Sequence, residues 1–341
     1  RLAFEESMGE MMSKPVRWGI LGAANFARQH MAPAIHAARG AELAALATST
    51  ADKAAPFADF CPGLTVHGSY EALLADPTID AVYVPLPNHL HVEWTLKALA
   101  AGKHVLTEKP IAMRADEIDS LIADRDASGL LAAEAYMIVH HPQWQRARAL
   151  VQAGAIGQVA HVDAAFSYDN RSDGGNIRNR PETGGGGIRD IGVYTYGSVR
   201  FVTGAEPEAL QSRLILENGV DTWAQVTGVM AGPLGRFTYS AMTSMRLFKR
   251  QEVTFQGDAG MIRLTTPFNA SVFGEAQLEL HKPGMSVTTE RWPGTDQYVA
   301  QVEAFCATVR TGAAYPCPLE FTRGTQAMID QVFARAEVVT L

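Results

Sequence analysis

Three side chains stand out for what they could do to a carbon–oxygen bond. Lys109 closes the run that begins with the apolar stretch His104–Thr107 and sits in the triplet Glu108-Lys109-Pro110. Proline holds the residue before it extended, so the amine is presented at a strand end, where it can polarise a hydroxyl or carbonyl oxygen. Asp190 and Tyr194 lie four apart in the apolar stretch 188–202. Residues i and i+4 share a helix face, so this carboxylate and phenol can address one site. A phenol near an ammonium group can exchange a proton with a substrate hydroxyl. The carboxylate can orient the substrate or hold Lys109. Such a set handles the proton of an alcohol–carbonyl conversion and leaves the hydride to a nicotinamide.

A place for that cofactor is legible near the start of the chain. Residues 17–27 read as an apolar strand, a small-residue turn and the first turn of a helix. This is the G-x-G-x-x-G/A fingerprint with one change. Gly22 can take a turn conformation that a Cβ resists, Ala24 stands where the second glycine is expected, and Ala27 is small enough for helix and strand to pack. Asn25 and Phe26 open a helix whose N–H groups and dipole favour phosphate. The glycines at 184–187 are expected to do a related job, letting the start of the Asp190 helix approach a ligand without Cβ atoms in the way.

After the second apolar strand (42–47) come Thr48, Ser49 and Thr50, with Lys53 a turn later. Many NAD enzymes place an acid here for the ribose 2′-hydroxyl. Its absence removes the repulsion against a 2′-phosphate, which favours NADP and leaves NAD possible. The same hydroxyls could equally cap the helix that starts near Asp52. Strand Ala81–Val84 runs into Pro85-Leu86-Pro87-Asn88-His89-Leu90-His91. Loops at the carboxyl ends of parallel strands bind ligands, so Leu86, Pro87, Asn88 and His91 join Glu108 and Lys109 as cofactor contacts. A cis Lys109–Pro110 bond would aim the lysine. His140 and Arg178 are further substrate contacts; the histidines at 140 and 141 have no carboxylate at metal-ligand spacing, so no metal is expected.

The elements that must position these groups alternate in the first part. Strands 16–21, 42–47, 64–66, 81–84, 104–107 and 130–133 are separated by helical runs at 26–39, 52 onward, 69–75, 92–101 and 115–128. That rhythm is the mark of a doubly wound parallel sheet. Beyond Met137 it changes. Helix 143–152, strand 159–168, a polar loop 169–183 and helix 188–202 lead into short alternating runs at 209–216, 222–230, 235–244, 252–256 and 261–264, as in an antiparallel meander. Helices at 297–310 and 322–338 close the chain. The domains are therefore set at 14–137 (cofactor) and 138–341 (substrate and association), with 1–13 a tag-like arm.

The totals agree. Of 341 residues 47% are hydrophobic and 19% charged, with a net charge of −7. A large core is available and disorder is disfavoured; nucleic-acid and membrane-surface binding are not expected. Cys61, Cys306 and Cys317 are scattered, which fits a reducing, cytoplasmic compartment and no disulfide framework.

In order along the chain, the motifs at 22–27, 85–91, 108–110, 134–137 and 185–194 resemble those of the Gfo/Idh/MocA oxidoreductase family. The resemblance implies a Rossmann domain followed by an α/β domain with a large open-faced, mostly antiparallel sheet, often used for dimerisation. A homodimer or homotetramer through that sheet is the expectation. It also implies hydride transfer between NAD(P) and a sugar, polyol or related alcohol, with Lys109 the catalytic lysine, Asp190 the aspartate of the second glycine-rich motif, and Tyr136 in a motif near the substrate. Many members carry histidine where this chain has Tyr194. Tyrosine there is similar to the glucose–fructose oxidoreductase, dihydrodiol dehydrogenase and xylose dehydrogenase branch, whose members generally use NADP. A cofactor-binding regulator and a redox-assisted glycoside-cleaving enzyme are the alternatives among relatives.

Overall fold

The computed structural model describes residues 14–340; the arm expected over 1–13 lies outside them. Two compact units emerge. The first reaches Ala112 and takes in Asp116–Met137 and Asp296–Glu320; the second holds Met113–Ala115, Ile138–Thr295 and the chain from Phe321.

Six strands form the sheet of the first unit: β1 (Val16–Leu21), β2 (Ala41–Ala47), β3 (Thr65–His67), β4 (Ala81–Val84), β5 (His104–Thr107) and β6 (Ala132–Glu134). All pair parallel, in the order β3-β2-β1-β4-β5-β6. The order reverses between β1 and β4, and the loops that part there leave a ligand crevice. Every residue of β4 is buried, as is every residue of β1 except Arg17. Covering on both faces is why these strands read as unbroken apolar runs. Trp18 has no exposed surface; its indole N–H points at Cys306 Sγ 3.4 Å away and its ring lies 4.8 Å from Phe305. These contacts seat the helix Gln297–Thr311 on β1. The three cysteines are buried thiols that form no disulfide among the described residues.

The helix expected over 26–39 is shorter. A π-helical turn, Ala27–Met31, continues as Ala32–Ala37, and Ala38 is already extended. The chain must turn at once into β2 through Gly40, whose φ is +79°.

The second unit is built on nine strands: β7 (Val159–Asp169), β8 (Glu206–Glu217), β9 (Val220–Gly232), β10 (Gly235–Ser244), β11 (Arg246–Gly257), β12 (Met261–Leu264), β13 (Ala276–Lys282), β14 (Ser286–Trp292) and β15 (Ala336–Val338). Their order is β14-β13-β12-β11-β7-β10-β9-β8-β15. Neighbours are antiparallel except β7–β10 and β8–β15. Burial alternates along β8 and β10, the pattern of a sheet with one apolar and one solvated face.

Two differences from the sequence expectation are informative. The hairpin β13–β14 lies beyond the runs that alternation marked; it turns through Gly284 and Met285, both at positive φ, and its last strand is mostly exposed, so apolar alternation is faint. The final helix ends at Ala334, not 338, because Ala336–Val338 adds to the edge of β8. Helical periodicity carries no information about an unpaired edge elsewhere. Among the described residues no helix is long and apolar enough to cross a membrane, and no group of three or more His, Cys, Asp or Glu is placed to hold a metal ion.

Candidate active site

In the first unit the site begins where β1 ends. Gly22 takes φ +109° and donates its N–H to the Ala47 carbonyl at 3.0 Å. A Cβ there would stand 3.1 Å from the Tyr70 hydroxyl and 3.4 Å from Leu86 Cδ2; the space is tight, and it is the conformation that calls for glycine. From this turn opens a cleft of about 400 Å³. Its walls are Gly22, Ala23 and Ala24, then Thr48, Ser49 and Lys53 after β2, then Gly68, Ser69 and Tyr70 after β3, then Pro85, Leu86 and Pro87 after β4. One wall residue is cationic and none is acidic. The helix beyond Gly22 starts from Ala24, whose carbonyl accepts the Arg28 N–H at 3.0 Å and whose side chain has no atom that could cap it. Thr50 likewise gives no capping hydroxyl to helix Ala51–Ala58, whereas Ser69 accepts the Ala72 N–H at 3.1 Å. The 48–50 hydroxyls are thus not used as a cap. Tyr70 and Ser69 were not among the sequence candidates. Only the placing of β3 beside β2 brings their loop to the cleft.

The loops after β4 and β5 meet through buried groups. The Lys109–Pro110 bond is cis and Lys109 is half-buried. The Lys109 N–H donates to Glu108 Oε2 at 3.2 Å, and Glu108 Oε1 accepts the Tyr83 hydroxyl at 2.6 Å. On the other side of Pro110 the Ile111 N–H donates to Glu134 Oε1 at 3.0 Å. Two carboxylates therefore hold the backbone on either side of the turn. His91, expected as a cofactor contact, is instead wholly buried. Its ring nitrogens lie 2.7 Å from the Leu86 and Pro110 carbonyls. Burial outweighs those acceptors and pushes its pKa down to about 4. Its ring lies between the cleft wall and the Lys109 loop. Asn25, Phe26, Thr50, Asn88, Glu108 and Lys109 are also not walls of the cleft. Phe26 packs 5.0 Å from His30 and 5.7 Å from Tyr298, and Tyr136 is buried.

In the second unit Asp190 lies in a π-helical turn, Ile188–Gly192, that runs into helix Val193–Thr203 bearing Tyr194. Arg178 Nε stands 2.8 Å from Asp190 Oδ1, and the Tyr168 hydroxyl donates to Oδ2 at 2.6 Å. Arg178, expected to donate to substrate, directs its Nε to this carboxylate. Tyr168, at the end of β7, was missed; its only sequence signal is its place before the loop that delivers Arg178. Burial, then Asp190, push the Tyr168 phenol well above its ordinary range, so it stays a donor. Asp190 in turn raises the pKa of Arg178. A phenol and a guanidinium thus hold this carboxylate from two sides. The Tyr194 ring stacks 5.7 Å from Phe268, which is flanked by Phe166 at 5.1 Å and Trp144 at 6.1 Å, so its orientation is set by packed aromatic faces. His140 is buried, and desolvation pushes its pKa down to about 3; the ring is neutral.

The glycines at 184–187 do not make room for a ligand as expected. A Cβ on Gly185 would stand 2.5 Å from the Arg178 carbonyl, and one on Gly186 2.1 Å from Asp221 Oδ1. The turn is filled by the chain itself.

Residues 16–136 match the oxidoreductase family with an NAD-binding Rossmann fold, and residues 144–263 match the GFO/IDH/MocA C-terminal domain. The chain belongs to the Gfo/Idh/MocA family of oxidoreductases. Among its relatives, D-xylose 1-dehydrogenase (NADP(+)) 2 of Haloferax volcanii is 34% identical over 94% of this chain and 97% of its own. A dTDP-3,4-didehydro-2,6-dideoxy-alpha-D-glucose 3-reductase of Saccharopolyspora spinosa is 34% identical over 94% and 95%. Among solved structures, a 3-ketoreductase from Actinomadura kijaniata in complex with NADP and TDP-benzene superposes with a TM-score of 0.86 at 28% identity, covering 96% of this chain and 100% of that one.

Proposed function

We propose that this oxidoreductase uses NADP to interconvert a hydroxyl and a carbonyl on a sugar, polyol or cyclic diol. What carries the reading is one edge of the parallel sheet. The Gly22 turn, the acid-free cleft and the Lys109 loop follow the adjacent strands β1, β4 and β5. The cleft fits the cofactor on its own terms: glycine at a φ that side chains resist, a helix start with no capping side chain, suited to phosphate, and Ser49 with Lys53 suited to a 2′-phosphate that no carboxylate repels. Relatives named for NADP and for sugars support the same reading. The nicotinamide, when bound, gives or takes the hydride. Lys109 polarises the substrate oxygen, Tyr194 exchanges its proton, and Asp190, held by Tyr168 and Arg178, orients it. The alternating burial of the nine-stranded sheet supports association of its open face with a second copy.

The test is turnover of Lys109→Ala and Tyr194→Phe with NADPH and NADP over a panel of aldoses, keto sugars and diols. Each variant should lose about 10²–10⁴-fold in kcat, the usual worth of a positioned acid or base, with NADPH affinity within about twofold of wild type. Unchanged turnover would remove these residues from the chemistry. Tight cofactor binding with no absorbance change across the panel would make the chain a regulator. Release of a leaving group without net cofactor reduction would make it a glycoside-cleaving enzyme.

A further inference from the structure

Asp221, on β9, has no role in the chemistry above, yet it is 3% exposed and sits inside the glycine turn. Its Oδ2 accepts the Ile188 N–H at 2.6 Å. Gly186 adopts φ +113° and could not carry a Cβ, which would meet Oδ1 at 2.1 Å; one on Gly187 would stand 3.3 Å from Oδ2. The glycines thus form a cup for a carboxylate that arrives from a strand 33 residues further along the chain. The cup holds two things at once. Asp190 donates its N–H to the Gly186 carbonyl at 3.1 Å, and Gly185 and Gly186 donate theirs to the Arg180 and Arg178 carbonyls at 3.0 and 2.9 Å. The turn that starts the helix is also the turn that delivers Arg178 to Asp190.

We infer that Asp221 is a positioning residue: an internal anion that caps the helix start and, through the glycine turn, sets where the Asp190 carboxylate and the Tyr194 phenol point, which rests on the reading that those two act on the substrate. The chemistry is that of a helix N-terminus, whose orphan N–H groups and positive dipole end favour a negative charge. Here the charge is supplied from within, and its cost is desolvation. Burial pushes the Asp221 pKa up to about 7, against the pull of the Ile188 amide and of Arg189. Arg189 and the Tyr196 phenol are the charged and titratable groups recorded against it among the described residues. Ionised, the carboxylate offers both oxygens as acceptors to the turn and to the Ile188 N–H; protonated, it gives up part of that capacity. Activity should therefore fall as pH drops below neutral, through a group that touches no substrate.

The experiment compares wild type with Asp221→Asn and Asp221→Ser, with Lys109→Ala and Tyr194→Phe alongside, reading kcat, KM, NADPH affinity and the pH profile of kcat between pH 5 and 9. Serine keeps a hydroxyl acceptor of the kind that caps helices and serves if the amide fails to fold. Both Asp221 variants should bind NADPH within about twofold of wild type. Their kcat should fall about ten- to a hundredfold, since a misplacement of about 1 Å can cost about a hundredfold. KM should change less, and the near-neutral limb should vanish. Wild-type kcat with the limb intact in either variant overturns the inference and leaves the site reading standing. Retained turnover in Lys109→Ala and Tyr194→Phe overturns both.

Discussion

Two helix starts in this molecule look alike and work differently. Each follows a small-residue turn with glycine at positive φ, Gly22 in one and Gly186 in the other, and each carries a π-helical turn near its start, Ala27–Met31 and Ile188–Gly192. At Gly22 no side chain caps the helix and the turn walls an open cleft. At Gly186 the equivalent position is filled by the Asp221 carboxylate. A glycine before a helix signals that an anion comes close to the backbone. It does not say whether the anion is a ligand or one of the chain's own carboxylates. The first start faces an open cleft, and the second is closed by a carboxylate of the chain itself.

The largest effects should come from filling the two turns. Gly22→Val forces a β-branched side chain into φ +109° beside Tyr70. Strain of about 1–3 kcal/mol in the turn corresponds to about a ten- to hundredfold weaker NADPH affinity, read by fluorescence titration. Gly186→Ala drives a Cβ into Asp221 Oδ1 at φ +113°; it should cost about 2–3 kcal/mol of folding stability and leave NADPH affinity near wild type. If Gly186→Ala instead weakened the cofactor as Gly22→Val does, the distinction between the two turns would collapse.

Next in size is a contrast in pH dependence. The folded pKa of His91 is lowered to about 4 from 6.5. Its contribution to stability is present above pH 6.5 and is lost as pH falls toward 4. The folded pKa of Asp221 is raised to about 7 from 3.8. Its contribution has the opposite sign: it is present below pH 3.8 and is lost as pH rises through 7. Melting temperatures taken from pH 4 to 8 should show His91→Gln removing part of the acid-side loss and Asp221→Asn removing part of the loss on the other side. Equal pH slopes in wild type and both variants would contradict the assignment. The smallest effect separates a cap from a free hydroxyl. Ser69→Ala should cost about 1 kcal/mol, the usual worth of an N-cap, because its hydroxyl accepts the Ala72 amide. Thr50→Ala, which caps nothing, should change stability by less than about 0.5 kcal/mol.

What depends on near neighbours could be read from the residues alone. Strands β1, β4 and β5 are legible as apolar runs because each is covered on both faces, and Gly22, Lys109, Asp190 and Tyr194 are marked by their spacing to glycine, proline and each other. Local periodicity also placed the helix Ala115–Ser128 at its observed bounds. Which distant groups come to each of these is settled by the folded chain. Tyr70 reaches the cleft because β3 lies beside β2. Tyr168 and Arg178 converge on one carboxylate, His91 turns inward to two carbonyls, and Asp221 fills the second turn. The physical reason is range. Steric limits on φ and the 2.0 and 3.6 periods act within a few residues. The partner of a buried polar atom, by contrast, is chosen by the requirement that every such atom be satisfied once the whole chain is packed, a condition that no window of sequence contains.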